Sequence, residues 1–223
     1  MVLGIFIAFF LISFVFVKDI YNWIVHNLEF KLSVLGPLDI PWIYLMLAGV
    51  AAITFTLPIL GYHIWAYISP ALTSNERKES LIYIPLLFIL FVTGMMFGYY
   101  LIFPQAFNFL VSLNEGSFQT FFTVEKYFRF LINMTVPVAF TFDLPIIIMF
   151  LTSIGIINPY SIKKLRKFVY FVLVVLSTMI TPPDIVSAII VVIPLILLFE
   201  ISISISFIVY KRKIARANTA AEV

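Results

Sequence analysis

The stretch Val136–Phe150 reads VPVAFTFDLPIIIMF. It sets one carboxylate, Asp143, and two prolines, Pro137 and Pro145, in a run otherwise apolar enough for lipid. A charge at the centre of a membrane helix costs roughly 2.5–3.5 kcal/mol on insertion scales, and more where neither snorkelling nor water relieves it. Each proline removes an amide donor and clashes with the preceding turn, bending the helix that carries it. Whether such a run is a soluble core or a membrane span decides the fold.

Composition answers for a membrane. The 223 residues are 63% hydrophobic and 11% charged, with a mean hydropathy of +1.12, well beyond a soluble domain. Apolar runs recur along the whole chain, so one signal peptide or anchor does not account for them. Cysteine is absent, which excludes disulfides, thiolate chemistry and Cys-ligated metal.

A spanning helix needs roughly 20 apolar residues. That length predicts an all-α membrane protein with six transmembrane helices at about 2–17, 43–66, 82–103, 128–154, 167–181 and 185–210, forming a single membrane domain over 1–223. An even number puts both termini on one side. Of the 14 basic residues, ten fall to one face: Arg77, Lys78, Lys163, Lys164, Arg166, Lys167, Lys211, Arg212, Lys213 and Arg216. Lys18, Lys31, Lys126 and Arg129 fall to the other, offset by Asp19, Glu29, Asp39, Glu115 and Glu125. The positive-inside rule makes the first face, and both termini, cytoplasmic. Trp42 and Trp65 bracket the second span, where indoles sit at interfaces or simply pack. The fifth span is short, with Phe168 to Ile180 lying between Lys167 and the TPPD turn. The long connections Lys18–Pro41, with DIYNWIVHNL as an amphipathic helix, and Pro104–Tyr127 are expected to cap the outer face. Pro58, Pro85, Pro137, Pro145 and Pro194 fall inside spans and favour a curved bundle, although proline is also commoner in membrane helices generally.

Asp143 is about fifteen residues into the fourth span, roughly 22 Å deep, with no basic residue at its depth. It is therefore expected to face a hydrated concavity or to be protonated, and an intramembrane acid is by default a functional hypothesis. Glu200 raises the same question in LLFEISISISF, with Ser204 one turn away as a partner. Asp184, in TPPD, equally fits an N-cap before the sixth span. The polar residues of spans four and six do not share one helical stripe, which disfavours a continuous water pore. In the third span GMMFG, Gly94 to Gly98, is a small-xxx-small pattern that permits close helix approach.

The inner loop YISPALTSNERKES places Glu76 beside Arg77 and Lys78. Thr73 and Glu76 fit a capping box, and an exposed carboxylate there also suits bidentate pairing with a guanidinium; spacing does not separate the two.

Together SPALTSNERK, FTFDLPI, GIINPYSIKKLRKF and TPPDIVSAIIVVIPLILLFEISI resemble the TatC family, the polytopic subunit of the twin-arginine (Sec-independent) protein translocase, across essentially the whole chain. The resemblance implies a bent, glove-shaped receptor in the bacterial cytoplasmic membrane. Such a receptor binds twin-arginine signal peptides of folded proteins and recruits a TatA-type single-span partner, drawing on the proton-motive force. It implies a homo-oligomer within a translocase complex, in contact with lipid, with no cofactor, metal or nucleic acid. Glu76 corresponds to the acid that receives the arginines, with Tyr67, Pro70 and Leu72 in its recognition surface. Asp143 corresponds to the acid of the concave face, where the family more usually has Glu. Thr178 and Thr181 fall where a partner helix meets the fifth span, with Asp184 and Glu200 the acids around the sixth; Ala188 stands where Gln is frequent. Family members carry a cytoplasmic helix with an H-x-x-E-L-R-type motif before the first span, whereas this sequence opens on MVLGIFIAFF. A truncated chain or late start codon is the expectation, which would leave one of two carboxylates to hold the arginine pair.

An enzyme is disfavoured, since His26 and His63 lie in separate segments and no phosphate loop, nucleophile elbow or metal cluster occurs. Intramembrane proteolysis lacks a second Asp or a Ser-His pair. The main alternative is a proton-coupled secondary transporter of small solutes using Asp143 and Glu200; a structural scaffold would tolerate neutralisation of Glu76, Asp143 and Glu200 together. Replacement of Asp143 by Asn is expected to impair export of a twin-arginine substrate while leaving the amount of folded protein in the membrane unchanged. Export at the wild-type rate would show that the carboxyl group has no part in transport.

Overall fold

The protein, seen as a computed structural model, is described over residues 1–26, 28, 32–72, 77, 80–112, 122–181 and 185–221. Among these the secondary structure is helical, apart from one parallel bridge between Ser33 and Thr123. The helices are α1 (Val2–Val15), α2 (Val17–His26), α3 (Asp39–Ile68), α4 (Tyr83–Phe97), α5 (Phe103–Ser112), α6 (Val124–Phe142), α7 (Leu144–Ser153), α8 (Pro159–Lys164), α9 (Arg166–Ile180) and α10 (Ile185–Ala221). In lipid no water satisfies backbone amides, so an apolar run must bond within itself as a helix.

Among the described residues four stretches are long and apolar enough to cross a membrane: Asp39–Ile68, Tyr83–Ser112, Val124–Ser153 and Ala188–Lys211. A fifth is α1 with α2, if that pair, bent by 56°, is one span. The sequence predicts six. The fifth predicted span, α9, has 15 residues, about 22 Å, which is less than the roughly 30 Å hydrocarbon layer. The bend after α1 falls at Phe16, just before Lys18 and Asp19 end the apolar run, and α2 realises the amphipathic helix expected there.

Several boundaries move outward. The third predicted span continues to Ser112, because a π turn at Gly98–Ile102 leads directly into α5 and accommodates Pro104 in its first turn. The fourth begins at Val124, where the Thr123 side chain accepts from the Lys126 amide at 3.4 Å. It is interrupted at Asp143 alone. Pro145 has no N–H to offer the Thr141 carbonyl, and the Ile146 amide bonds one residue short, to the Asp143 carbonyl at 3.1 Å, which also accepts the ordinary helical bond from Ile147 at 3.0 Å. The stretch ends in a Schellman turn: Gly155 has φ 84°, its amide bonds to the Thr152 carbonyl and that of Ile156 to the Leu151 carbonyl. Asn158 then caps α8 by accepting from the Tyr160 amide at 3.0 Å. The last helix runs to Ala221, past the predicted end near 210, because the basic and alanine-containing tail favours helix in water too.

The helices have two chemically distinct ends. Tyr83 meets Phe150 at 6.2 Å, and Tyr160 meets Phe207 at 5.1 Å and Tyr210 at 6.1 Å. These contacts gather the starts of α4 and α8 and the later part of α10 into one basic end. At the other end Tyr21 stacks on Phe128 at 5.4 Å, and Phe103 meets Tyr127 edge-on at 5.2 Å. A connected core joins them through Ile43, Leu47, Ile102, Phe128, Met134, Val138, Leu195, Phe199 and Ile203. The principal pairings are α1 on α3, α4 on α6 and α7 on α10.

Helices α4 and α6 approach closely at two glycines. A Cβ added at Gly94 would lie 2.7 Å from the Ala139 Cα and 2.8 Å from the Phe142 Cβ; at Gly98 it would lie 2.9 Å from the Thr135 Cα. GMMFG is thus an internal packing motif. Gly94→Ala and Gly98→Ala should each destabilise the purified protein by about 1–3 kcal/mol in micelle unfolding, because backbone rather than a flexible side-chain tip must yield. Gly49→Ala, whose Cβ meets nothing within 4 Å, should be neutral or slightly stabilising.

Candidate functional site

At the basic end, α3 closes in a 3-10 turn, Ser69–Ala71, with Pro70 setting its first residues. The Leu72 amide bonds to the Ser69 carbonyl at 3.2 Å, and Leu72 itself is extended at φ −93°, ψ 148°, so the chain leaves the helix sharply. Exposure alternates steeply over this corner: Trp65 is 7% exposed, Tyr67 88% and Ser69 4%. Pro70 is exposed and Leu72 half-buried. Three of the four residues expected to form a recognition surface therefore fall at this corner, Tyr67 in the last turn of α3, Pro70 in the 3-10 turn and Leu72 just after it. Glu76, the fourth, lies outside the described residues, as does Asp184.

Of the two roles open to Trp65 in the sequence, lipid interface or packing, the structure shows packing. Its Nε1–H donates to the Ser80 Oγ at 2.8 Å, Tyr62 stacks on it at 5.8 Å, and the Arg77 guanidinium lies over its ring at 5.7 Å. Trp42, at the other end of α3, is 49% exposed. It borders a groove of about 370 Å³ with Leu38, Asp39, Pro41, Leu45, Glu125 and Arg129. In that groove Arg129 and Glu125 pair at 2.6 Å, and the Asp39 Oδ2 accepts from the Leu35 and Gly36 amides at 2.9 Å each.

Asp143 is 2% exposed at the α6–α7 break, enclosed by protein where an open hydrated surface was one expectation. Its Oδ1 has no hydrogen-bond partner among the described residues. The nearby Thr141 hydroxyl donates back to the Pro137 carbonyl at 2.9 Å and so is not spent on the acid.

Glu200 differs from its expectation. Ser204 donates to the Glu200 backbone carbonyl at 2.9 Å and not to the carboxylate. The carboxylate instead pairs with Arg166 at 2.8 Å and accepts from the Tyr170 hydroxyl, joining the start of α9 to α10 at the basic end. The residues that the sequence suggests as one polar cluster are therefore divided. Thr178 and Thr181 occupy the far end of α9; Thr178 is exposed and Thr181 is 6% exposed, its hydroxyl donating to the Ser177 carbonyl at 2.9 Å. There the Ser177 hydroxyl donates to the Ala188 carbonyl at 2.9 Å, tying α9 to α10. Sequence reasoning also misses the buried contact of 2.7 Å between the Thr152 and Ser206 hydroxyls. The signal for it is the SISIS spacing, in which Ser202 and Ser206 stand one turn apart on the buried face of α10. No group of three or more His, Cys, Asp or Glu able to hold a metal occurs among the described residues.

These features define a polytopic, all-helical membrane protein with one strongly basic end. The family model described as "TatC: Sec-independent protein translocase protein (TatC)" matches residues 1–194. The chain is 47% identical over 98% of its length to the Sec-independent protein translocase protein TatCd of Bacillus subtilis (strain 168), covering 90% of that protein. It is 35% identical to TatCy of the same organism, over 97% of this chain and 86% of that one. A crystal structure titled as the twin arginine translocase receptor TatC superposes with a TM-score of 0.78 at 26% identity, covering 93% of this chain and 94% of that one. The chain belongs to the TatC family of Sec-independent protein translocase subunits.

The Arg166–Glu200 pair is about a third exposed at both partners, so solvent screens part of its strength. A double-mutant cycle of Arg166→Gln and Glu200→Gln, read by unfolding in micelles, should give a coupling of about 0.5–1 kcal/mol. Additivity would show that the two side chains meet without stabilising the α9–α10 junction.

Proposed function

We propose that this chain is the receptor subunit of a twin-arginine translocase in a bacterial cytoplasmic membrane. In this reading the 1–223 segment is one bent, glove-shaped domain of six spans, α9 being a short span sheltered by its neighbours, with both termini cytoplasmic. The basic end then faces the cytoplasm, as the positive-inside rule requires. It binds the twin-arginine signal peptides of folded proteins and recruits a TatA-type single-span partner for export driven by the proton-motive force. The working form is a homo-oligomer within a larger complex, without cofactor, metal or nucleic acid.

The observation that carries this reading is the projecting turn at the basic end, with Tyr67 88% exposed between buried Trp65 and Ser69. An apolar and aromatic shelf followed closely in the chain by a carboxylate suits a peptide that carries guanidinium groups next to hydrophobic residues. Glu76 supplies that carboxylate, and Tyr67, Pro70 and Leu72 the shelf. A second feature supports partner recruitment. Along α9 the side chains of Phe168, Phe171, Val175 and Met179 recur at three- and four-residue spacing and are 66%, 66%, 39% and 77% exposed. This is a helix face open to a neighbouring helix, with Thr178 beside it and Thr181 and Asp184 following in the chain. Asp143 acts as the buried acid at the bend of the α6–α7 span. The transporter alternative needs Glu200 as a titrating site, whereas its carboxylate is engaged by Arg166 and Tyr170.

The test is site-specific photocrosslinking in membranes from position 67 to an export precursor bearing Arg-Arg and to its Lys-Lys counterpart. Adducts confined to the Arg-Arg precursor, reduced about tenfold by Glu76→Gln, are expected for loss of a charge-assisted pair. Equal adducts with both precursors would refute signal-peptide recognition at this turn.

A further inference from the structure

The groove between the starts of α3 and α6 has no part in the receptor reading. Its volume, about 370 Å³, is that of a small-ligand site, and its lining is of two kinds: Leu38, Pro41, Trp42 and Leu45 are apolar, whereas Asp39, Glu125 and Arg129 are charged. The Arg129–Glu125 pair is made through Nη2 and Oε1, with both side chains in part exposed. The rest of the guanidinium fork and the second carboxylate oxygen therefore remain for an incoming group. Asp39 is fixed by the Leu35 and Gly36 amides, both on Oδ2. A Cβ at Gly36 would lie 2.9 Å from Oδ1, so glycine there keeps that oxygen uncovered.

Each feature has a local explanation. An acid in the first turn of a helix offsets the macrodipole, which accounts for Asp39 and Glu125 singly, and Arg129 stands one turn beyond Glu125. Their convergence on one cavity, with a half-exposed indole at its border, is what points to a ligand. Two carboxylates and one guanidinium give the lining a net negative charge, with one place for an anion. The complement is a zwitterion whose anionic group takes the open donors of Arg129 and whose cation takes the carboxylates and the face of Trp42.

The apolar part of the lining says where such a zwitterion comes from. Trp42, Leu45 and Gly49 follow one another at helical spacing along α3, a membrane-spanning helix, and nothing lies within 4 Å of the place of a Gly49 Cβ. An apolar strip about 10 Å long, hollow at its far end, thus leads from the groove toward the bilayer interior. It suits the first part of an acyl chain. We infer that this groove binds the headgroup of a zwitterionic phospholipid with a primary ammonium group, from the leaflet that meets the end of the bundle opposite the basic one. Arg129 takes the phosphate, and Glu125, Asp39 and Trp42 take the ammonium. Carboxylates accept N–H bonds that a trimethylammonium group does not have, and a single indole makes no cage for one. Nothing in this assignment depends on signal-peptide recognition.

The full chain, purified in micelles, is tested by native mass spectrometry with phosphatidylethanolamine, phosphatidylcholine and phosphatidylglycerol of identical acyl chains. The wild type should retain the ethanolamine lipid about two- to fivefold better than either of the others, the range for partly exposed charge pairs. Arg129→Gln should lower retention of the ethanolamine and choline lipids alike, because both present the phosphate. Glu125→Gln combined with Asp39→Asn makes the lining net positive and should turn the preference toward phosphatidylglycerol; Asn at 39 still accepts the Leu35 and Gly36 amides, so the turn is kept. Equal retention of the three lipids by the wild type would overturn the proposal. So would an ethanolamine preference that survives the combined variant, because it would then arise elsewhere on the protein. Displacement of the lipid by an equimolar amount of soluble phosphoethanolamine would show a site for a soluble zwitterion and overturn the lipid assignment. Should the combined variant fail to accumulate, Arg129→Gln decides by itself, and retention equal to wild type would overturn the proposal.

Discussion

The approach of α4 to α6 at Gly94 and Gly98 is the contact on which the rest of the arrangement depends. Between helices in lipid there is little hydrophobic driving force, because the acyl chains are as apolar as the side chains they would replace. Attraction comes from dispersion, which decays over fractions of an ångström and so needs close backbone approach. Two missing Cβ atoms permit it: any side chain at either glycine would meet a Cα of α6 inside 3 Å. The same contact places Phe142, whose Cβ lies against Gly94 and whose ring meets Phe97 at 5.2 Å. Asp143 is the next residue, and its enclosure follows from that placement.

Polar side chains form the second set of ties; most bond within their own helical turn, and a few join segments distant in sequence. Thr152 meets Ser206, Arg166 and Tyr170 meet Glu200, Ser177 meets the Ala188 carbonyl, and Trp65 meets Ser80. A polar group without a partner in an apolar surrounding is costly, so each such pair selects one register of two helices against its alternatives. Several buried polar atoms have no partner among the described residues, the hydroxyls of Thr56, Ser69 and Thr135 and the Arg166 Nε with them, and of these Asp143 Oδ1 belongs to a carboxyl group. Glu200, equally acidic and also in an apolar helix, is accounted for by its neighbours Arg166 and Tyr170.

The candidate site is partly legible in the chain's linear order. Tyr67, Pro70 and Leu72 occur within six residues of sequence, so a turn at Pro70 necessarily keeps them near one another, and the structure adds that Tyr67 projects. Glu200 and Thr181 are grouped only by the family resemblance, which sets Thr181 at the end of the fifth span and Glu200 within the sixth. They separate because a helix carries its residues along its axis by about 1.5 Å per step, so the fifteen steps of α10 from Ile185 to Glu200 amount to roughly 22 Å. Trp65 reads equally as an interfacial indole or a packing residue. Its bond to Ser80 joins positions fifteen apart across a loop, and no local periodicity reports such a pairing.

Everything governed by local chemistry can be read from the residues alone. Hydropathy yields the membrane class and most span positions, and the proline at 145 marks the break at Asp143. The distribution of Lys and Arg defines one basic end, and four ordered motifs carry the TatC resemblance that the family model and relatives bear out. Which polar groups meet is a matter for the packed helices. An acid in a span carries the same insertion cost wherever it lies in the sequence, and its fate depends on what a different helix brings alongside. Glu200 receives Arg166 and Tyr170, Trp65 receives Ser80 and Arg77, and Asp143 Oδ1 receives no hydrogen-bond donor among the described residues. These pairings are set by helix register and by the close contacts at Gly94 and Gly98, and a one-dimensional pattern does not contain them.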